Sequence, residues 1–280
     1  MVKIVFLGTT TLLFDDGKDQ LLFDCHVTRP SLARCFLGRI QTDKKIADRV
    51  IREMNISRLR GIFISHSHHD HVLDAPYFAL QCGADIYGSF SALNVARGGG
   101  LAEDRLHSYD DSRSYRIGDF GITMIPSIHS KAHWYNNDLG MIIGTPLKQP
   151  ARRNDFKEGG SYDFLVSHNG RNYLIRPSYN YIEGQLDGIR ADVVFAGISM
   201  LSRDTKERQE AFFYETIEKT HAETVIPIHW DNFFSPLYGN IKGLPLVADN
   251  TRASMRILSD LCSVHGVKFI VRQPLTAIEI

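Results

Sequence analysis

The chain has 280 residues, 43% hydrophobic and 23% charged, which is ample apolar material for a core and excludes an intrinsically disordered protein. Lys plus Arg and Asp plus Glu both count 32, so the formal net charge is zero, whereas a dedicated nucleic-acid binder normally carries a basic excess. The four cysteines form no CxxC pair, a pattern of reduced thiols in the cytoplasm, and no apolar run approaches the ~18 residues of a membrane span.

The chain opens with three short apolar runs, Lys3–Leu7, Thr11–Phe14 and Gln20–Asp24. The first is too brief for the apolar part of a signal peptide and reads as a strand. Asp15-Asp16-Gly17 is a turn signal between the second and third, so the start reads as β-hairpins. From Asp43 to Met54 the period becomes helical, with Ile46, Val50, Ile51 and Met54 on one face and Lys44, Lys45, Arg49 and Arg52 on others. From Arg29 to Arg60 basic residues outnumber acidic ones, which reads as a solvated helix face, with a substrate-attracting rim as the alternative. Gly61–Ser65 is a buried strand, Leu73–Gln81 a helix, and a strand near Ile86 leads to a helix stopped by Gly98-Gly99-Gly100.

Further strands are expected at Tyr115–Ile117, Gly121–Ile125, Leu139–Gly144, Asp163–His168 and Asn172–Arg176. A strand at Asp192–Ala196 precedes a helix from Thr205 to Thr220. A strand at Thr224–Ile228, a helix ending at Gly266 and a strand near Lys268–Val271 complete the chain. Strands crowding the start of each half, with helices between later ones, predict a layered α/β body. Pro146–Ser161, rich in Lys, Arg and Gly, is a loop beside a site or a flexible excursion.

Residues 66–71, His-Ser-His-His-Asp-His, give H-x-H-x-D-H at the end of a predicted buried strand. In extended backbone His66 and His68 project to the same side, and Asp70 and His71 reach the pocket as the chain turns toward a helix. Imidazoles with one carboxylate suit zinc and related first-row metals better than calcium or magnesium. His129 and His229 each stand just past a predicted strand, which makes them further candidate ligands. His69 is expected to point away. His133, four residues after His129, is a candidate proton donor in the pocket, although Trp134 and Tyr135 beside it also suit packing.

The ordered set His66, His68, Asp70, His71, His129 and His229 resembles the metallo-β-lactamase superfamily. The resemblance implies one domain over residues 1–280, folded as an αββα sandwich of two similar halves with a metal site along one edge. It implies a first metal on His66, His68 and His129 and a second on Asp70, His71 and His229. The family usually supplies a bridging aspartate between the third and last histidines. Ser178, in the stretch Arg176-Pro177-Ser178-Tyr179, stands in its place. A neutral hydroxyl lacks the charge to clamp two dications ~3.5–4 Å apart, so one tight zinc and a weaker or empty second site are expected, with Mn²⁺ or Fe²⁺ as alternatives. Asp231, two residues after His229, is the compensating ligand or supporting carboxylate. Glu183-Gly184-Gln185-Leu186 and the segment Ile226–Phe233 are similar to a bacterial branch of the superfamily that has the ascorbate-6-phosphate lactonases as relatives.

The resemblance implies a metal-dependent hydrolase. A dication lowers the pKa of water toward ~7, and the hydroxide attacks an ester, lactone, amide or phosphodiester while Asp70 orients the water or moves its proton. Arg176, Ser178 and Tyr179 are the candidate substrate contacts. If basic residues among Arg29, Lys148, Arg152, Arg153, Lys157 and Arg176 line the pocket, a small anionic substrate is favoured. The alternatives are a non-catalytic metal-binding protein, kept open by Ser178, and an RNA-processing nuclease. Phe6-Leu7-Gly8-Thr9 resembles the start of such nucleases, but the zero net charge weighs against nucleic acid as a partner.

Overall fold

The computed structural model describes residues 2–110, 113–131 and 137–278. The first sheet is built from β1 (Lys3–Gly8), β2 (Thr11–Asp15), β3 (Gln20–Phe23), β4 (Leu59–Phe63), β5 (Asp85–Gly88), β6 (Leu106–Ser108) and β14 (Thr276–Ile278), in the order β14-β1-β2-β3-β4-β5-β6. The second contains β7 (Ser114–Ile117), β8 (Phe120–Ser127), β9 (Ser161–His168), β10 (Arg171–Arg176), β11 (Val193–Gly197), β12 (Thr224–Ile228) and β13 (Lys268–Phe269), ordered β13-β12-β11-β10-β9-β8-β7. Both sheets are mixed: β3 to β6 run parallel, as do β10 to β13, and the remaining pairs are antiparallel.

Period-two alternation explains the layering. On β1, Ile4 and Phe6 join the core shared by the sheets, while Val5 and Leu7 join a second core on the outer face. The sheets meet through aromatic rings: Phe14 packs on Tyr173 and Phe195 at 5.5 and 6.0 Å, and Phe23 on Phe164 at 5.3 Å. The outer core of the first sheet is covered by α2 (Lys44–Glu53), α4 (Ala75–Cys82) and α5 (Phe90–Gly98). Asp43 caps α2 by accepting from the Lys45 and Ile46 amides, and α2 buries Ala47 and Val50 while its basic residues stay exposed. The second sheet carries α6 (Lys206–Phe213), which runs on as a π turn over Tyr214–Glu218, and α7 (Thr251–Val264). This is the expected αββα sandwich. No helix among the described residues is long and apolar enough to cross a membrane.

Several elements, β6 among them, depart from the sequence expectation. Leu139–Gly144 forms no strand, because the Ile143 amide donates to Ser91 Oγ and its carbonyl accepts from Asn94 Nδ2, so these groups are satisfied by α5 and not by a sheet. A short helix, α1 (Leu32–Leu37), follows Pro30 and escapes hydrophobic patterning because Leu32, Phe36 and Leu37 face outward. The terminal β14 closes the first sheet against β1.

Arg176 is also misplaced by sequence reasoning. At the end of β10 it is 1% exposed, and its guanidinium is paired with Asp163 at 2.8 Å while donating to the Asn180 carbonyl, Thr216 Oγ1 and Gln185 Oε1. Burial raises the Asp163 carboxyl, and Arg176 pulls it back toward the charged form. Arg176 therefore ties the second sheet to the turn that continues α6, with its guanidinium engaged inside the protein. Removing one partner of a buried pair leaves the other charge uncompensated. Arg176→Leu should lower unfolding stability by about 3–5 kcal/mol, measured by denaturant titration.

Candidate metal centre

Strand direction collects the site. β8 lies antiparallel to β9 and β9 antiparallel to β10, so β8, β10, β11 and β12 all finish at one edge. His129 follows β8 and His229 follows β12. In the first sheet, β3 and β4 end side by side and release Asp24 and the segment Ile64–His68. His68 is still extended (φ −62°, ψ 150°) and caps a single helical turn, α3 (His69–Val72), which swings Asp70 and His71 back over the edge. Open α/β sheets bind ligands outside such carboxyl ends.

Two triads result. One ligand atom from each of His66, His68 and His129 lies within 4.8 Å of the others, and so does one from each of Asp70, His71 and His229. In the first, His129 sits 4.8 Å, ring to ring, from both His66 and His68. In the second, Asp70 Oδ2 lies 3.7 Å from His71 Nε2 and 3.5 Å from His229 Nε2. His66 and His71 are 3.7 Å apart by ring centre, so the triads abut.

Four of the five histidines have an acceptor for the ring nitrogen facing away from the centre, which fixes the tautomer, whereas His229 Nδ1 is buried without one. His66 Nδ1–H donates to Ser65 Oγ at 3.1 Å, His129 Nδ1–H to the Ser130 carbonyl at 3.0 Å and His68 Nε2–H to Asp138 Oδ1 at 3.1 Å. His71 Nδ1–H donates to Asp24 Oδ2 at 2.7 Å. The opposite nitrogens of His66 and His71, both Nε2, are buried with no hydrogen-bond partner. A buried unsatisfied nitrogen costs about 1–3 kcal/mol, and two such lone pairs converging beside a carboxylate fit a first-row dication. Burial lowers His66 well below the usual imidazole range and His129 to about 3, so both present the neutral form a metal requires. Burial alone would raise Asp70, but His71 and His229 hold its carboxyl well below the usual range, and it is ionised.

Asp231 is not a ligand as placed. Its Oδ1 accepts the Thr9 amide at 2.9 Å and its Oδ2 is ion-paired with Arg29, both side chains fully buried. The Arg29 guanidinium occupies the space a Cβ on Gly8 would need, which is why the turn into β2 has glycine at φ +104°. Ser178 lies two residues past β10 at the same edge and is 7% exposed. Tyr179 packs its ring on Phe212 at 4.8 Å and turns its hydroxyl toward Asp204. His133 lies outside the described residues. His69 stays out of both triads, its ring flanked by His26, Phe233 and Phe234 and its Nε2 3.9 Å from Cys35 Sγ. The Pro146–Ser161 loop proves to lie beside the site: Ser67 donates through its amide to the Glu158 carbonyl and through Oγ to that of Lys157.

Two carboxylates were missed. Asp24 accepts from Thr10 Oγ1, from the Ser65 amide and hydroxyl, and from His71. An acidic residue closing the otherwise apolar, buried run Gln20–Phe23 was the available signal. Asp138, which orients His68, carries no comparable local signature.

A family model described as Metallo-beta-lactamase superfamily matches residues 6–146. A protein of Chloroflexus aurantiacus described as a UPF0173 metal-dependent hydrolase is 25% identical over 175 residues, 62% of this chain and 65% of that one. A Myxococcus xanthus protein with the same description is 29% identical over 75 residues, 27% of this chain and 26% of that one. The chain thus spans less than two thirds of either relative. Among solved structures, the metallo hydrolase Igni18 from Ignicoccus hospitalis superposes with a TM-score of 0.61 at 14% identity, covering 99% of this chain and 97% of its own. Human tRNase Z, short form, gives 0.57 at 12% identity and 99% coverage of both chains. At such identities the likeness is one of fold.

Because Asp24 sets the tautomer of His71, Asp24→Asn should weaken divalent-metal affinity at the second triad by about 10–100-fold. Competition titration against a chromophoric chelator measures this; unchanged affinity would remove the role.

Proposed function

Starting from the premise that the chain belongs to the metallo-β-lactamase superfamily, we propose that it is a metal-dependent hydrolase of an ester, lactone, amide or phosphodiester in a small substrate. The observation that carries this reading is the pair of abutting triads with two buried, unpartnered imidazole nitrogens at their centre. His66, His68 and His129 would hold the first metal and Asp70, His71 and His229 a second. Zinc suits this donor set, and Mn²⁺ or Fe²⁺ is the alternative. A dication bound there lowers the pKa of water toward ~7 and offsets negative charge growing on the carbonyl or phosphoryl oxygen.

The chain's own residues supply the rest. Asp70, ionised, directs Oδ2 between His71 and His229 and Oδ1 toward His69 at 3.6 Å. A carboxylate so placed accepts a hydrogen bond from the attacking water and takes up its proton. Ser65, Ser130, Asp138 and Asp24 keep the rings in one orientation while charge moves. The equal totals of acidic and basic residues favour a small substrate over a long polyanion. Four unpaired thiols fit a reducing, cytoplasmic setting.

The zinc-loaded protein should turn over at least one of p-nitrophenyl acetate, a lactone and bis(p-nitrophenyl) phosphate, and a chelator should abolish that turnover. His68→Ala should lose most of the bound metal and the activity together while keeping the native circular-dichroism spectrum. No turnover by fully loaded protein would overturn the hydrolase reading and leave a metal-binding protein.

The charge argument at Ser178 generates a separate expectation. The native protein should hold one metal equivalent tightly, and Ser178→Asp should raise occupancy toward two by elemental analysis. Two tight equivalents in the native chain would show that Ser178 does not limit the second site.

A further inference from the structure

We infer, on the metal-binding reading of the first triad, that Glu158 is a positioning residue for it. Its buried carboxylate fixes the turn that carries Asp138, and so holds in place the acceptor that orients the His68 ring. This gives a task to the end of the Pro146–Ser161 loop, which lies beside the site.

His68 is held from two sides. Its ring Nε2–H donates to Asp138 Oδ1 at 3.1 Å. Its backbone follows Ser67, whose amide donates to the Glu158 carbonyl at 2.9 Å and whose Oγ donates to the Lys157 carbonyl at 2.6 Å. The loop thus grips the ligand segment through main-chain carbonyls. A Cβ on Gly159 (φ +70°) would stand 2.5 Å from Ser67 Oγ and 2.3 Å from Ser91 Cβ, so the close approach requires glycine.

The Glu158 side chain reaches the other partner. It is 6% exposed, and its Oε2 accepts both the Gly140 and the Gly160 amides at 3.1 Å, while Oε1 accepts Ser161 Oγ at 2.6 Å. Gly140 lies in a turn that starts at Asp138, where the Met141 amide donates to the Asp138 carbonyl at 2.9 Å. The Met141 carbonyl in turn accepts the Gly159 amide at 2.9 Å. Asp138 and His68 are therefore both fastened to residues 157–161, and the carboxylate closes the circuit. A buried carboxylate persists where donors satisfy it, and these donors come from both sides of the gap between the loop and the Asp138 turn. Supporting groups must hold a ligand within ~0.5 Å of its working position, which a turn released from this clamp would not do.

The test uses the full chain. Glu158→Ala should weaken binding of the tight Zn²⁺ equivalent about tenfold in competition with a chromophoric chelator. In the metal-free protein it should speed solvent exchange of the His68 Nε2–H, read by nitrogen-15 NMR, by about tenfold or more. Glu158→Gln keeps an acceptor for the Gly140 amide and should bring affinity back to within about threefold of native. Added to Asp138→Ala, Glu158→Ala should cost less than about twofold more, because both act through one hydrogen bond. Equal losses for Ala and Gln would show that charge is at work and not position, and additive losses would show that Glu158 acts elsewhere in the fold. Either result overturns the inference. If Glu158→Ala does not fold, Ser161→Ala removes the Oε1 bond alone and should shift both readouts the same way by less; unchanged values would overturn the inference. Native protein that binds no divalent metal would sink the metal-binding reading instead, and the exchange measurement would still judge Glu158.

Discussion

The Asp24 carboxylate is where the first sheet becomes a site. It closes β3, and its oxygens accept from Thr10 at the head of β2, from Ser65 just past β4 and from His71 on α3. One buried group therefore ties two strand ends, a turn and a ligand ring together. Ser65 in turn reaches His66, so rings in both triads are referred to the same carboxylate. A metal centre needs its imidazoles locked in tautomer and rotation before the ion arrives, and here that lock is continuous with the sheet.

A second lock holds the far side. Asp231 joins the Thr9 amide, between β1 and β2, to Arg29, after β3, while standing two residues from His229. The pair lies where sequence reasoning placed a ligand and a substrate-binding cation. Each is sequestered by the other. The same holds for Arg176 and Asp163 across β10 and β9. Buried pairs of this kind are weak evidence of net stability, because desolvation offsets their attraction. They do fix which loops meet. A neutral total charge conceals that partition between buried and solvated ions.

What could be read from the sequence follows from how local each signal is. The motif from His66 to His71 is contiguous and follows a buried strand, so its chemistry was plain before any fold was known. His129 and His229 were found by their position at strand ends, which survives folding because the strands that deliver them finish at one edge. Asp24 and Asp138 act on rings 47 and 70 residues away, and only Asp24, which closes a buried strand, carries any local signal. Arg176 and Tyr179 show the opposite case. Being next to Ser178 in sequence says nothing about which side of the chain a side chain takes, and both turn into packing against α6. Leu139–Gly144 has the composition of a strand, but the backbone groups of Ile143 bond to the Ser91 and Asn94 side chains of α5 instead.

The triads differ in charge, and the difference organises the centre. Asp70 is the only carboxylate among the six candidate ligands, and it belongs to the second triad, so the first is made of imidazoles alone. Two dications ~3.5–4 Å apart repel strongly in a buried setting, and a bridging carboxylate ordinarily screens them. With serine at position 178, that screening has to come from elsewhere. Asp138 stands behind His68 and Asp24 behind His71, one in each triad, each sharing a proton with the outer nitrogen of a ring whose inner nitrogen faces the metal. Such carboxylates raise ligand basicity and deliver negative charge through the ring. The field they supply is more distant than a bridge and divided between the two positions. It can support an ion in either place but offsets the repulsion between two ions less well than a shared oxygen would. The proposed asymmetry between the two sites rests on where the carboxylates stand relative to the rings.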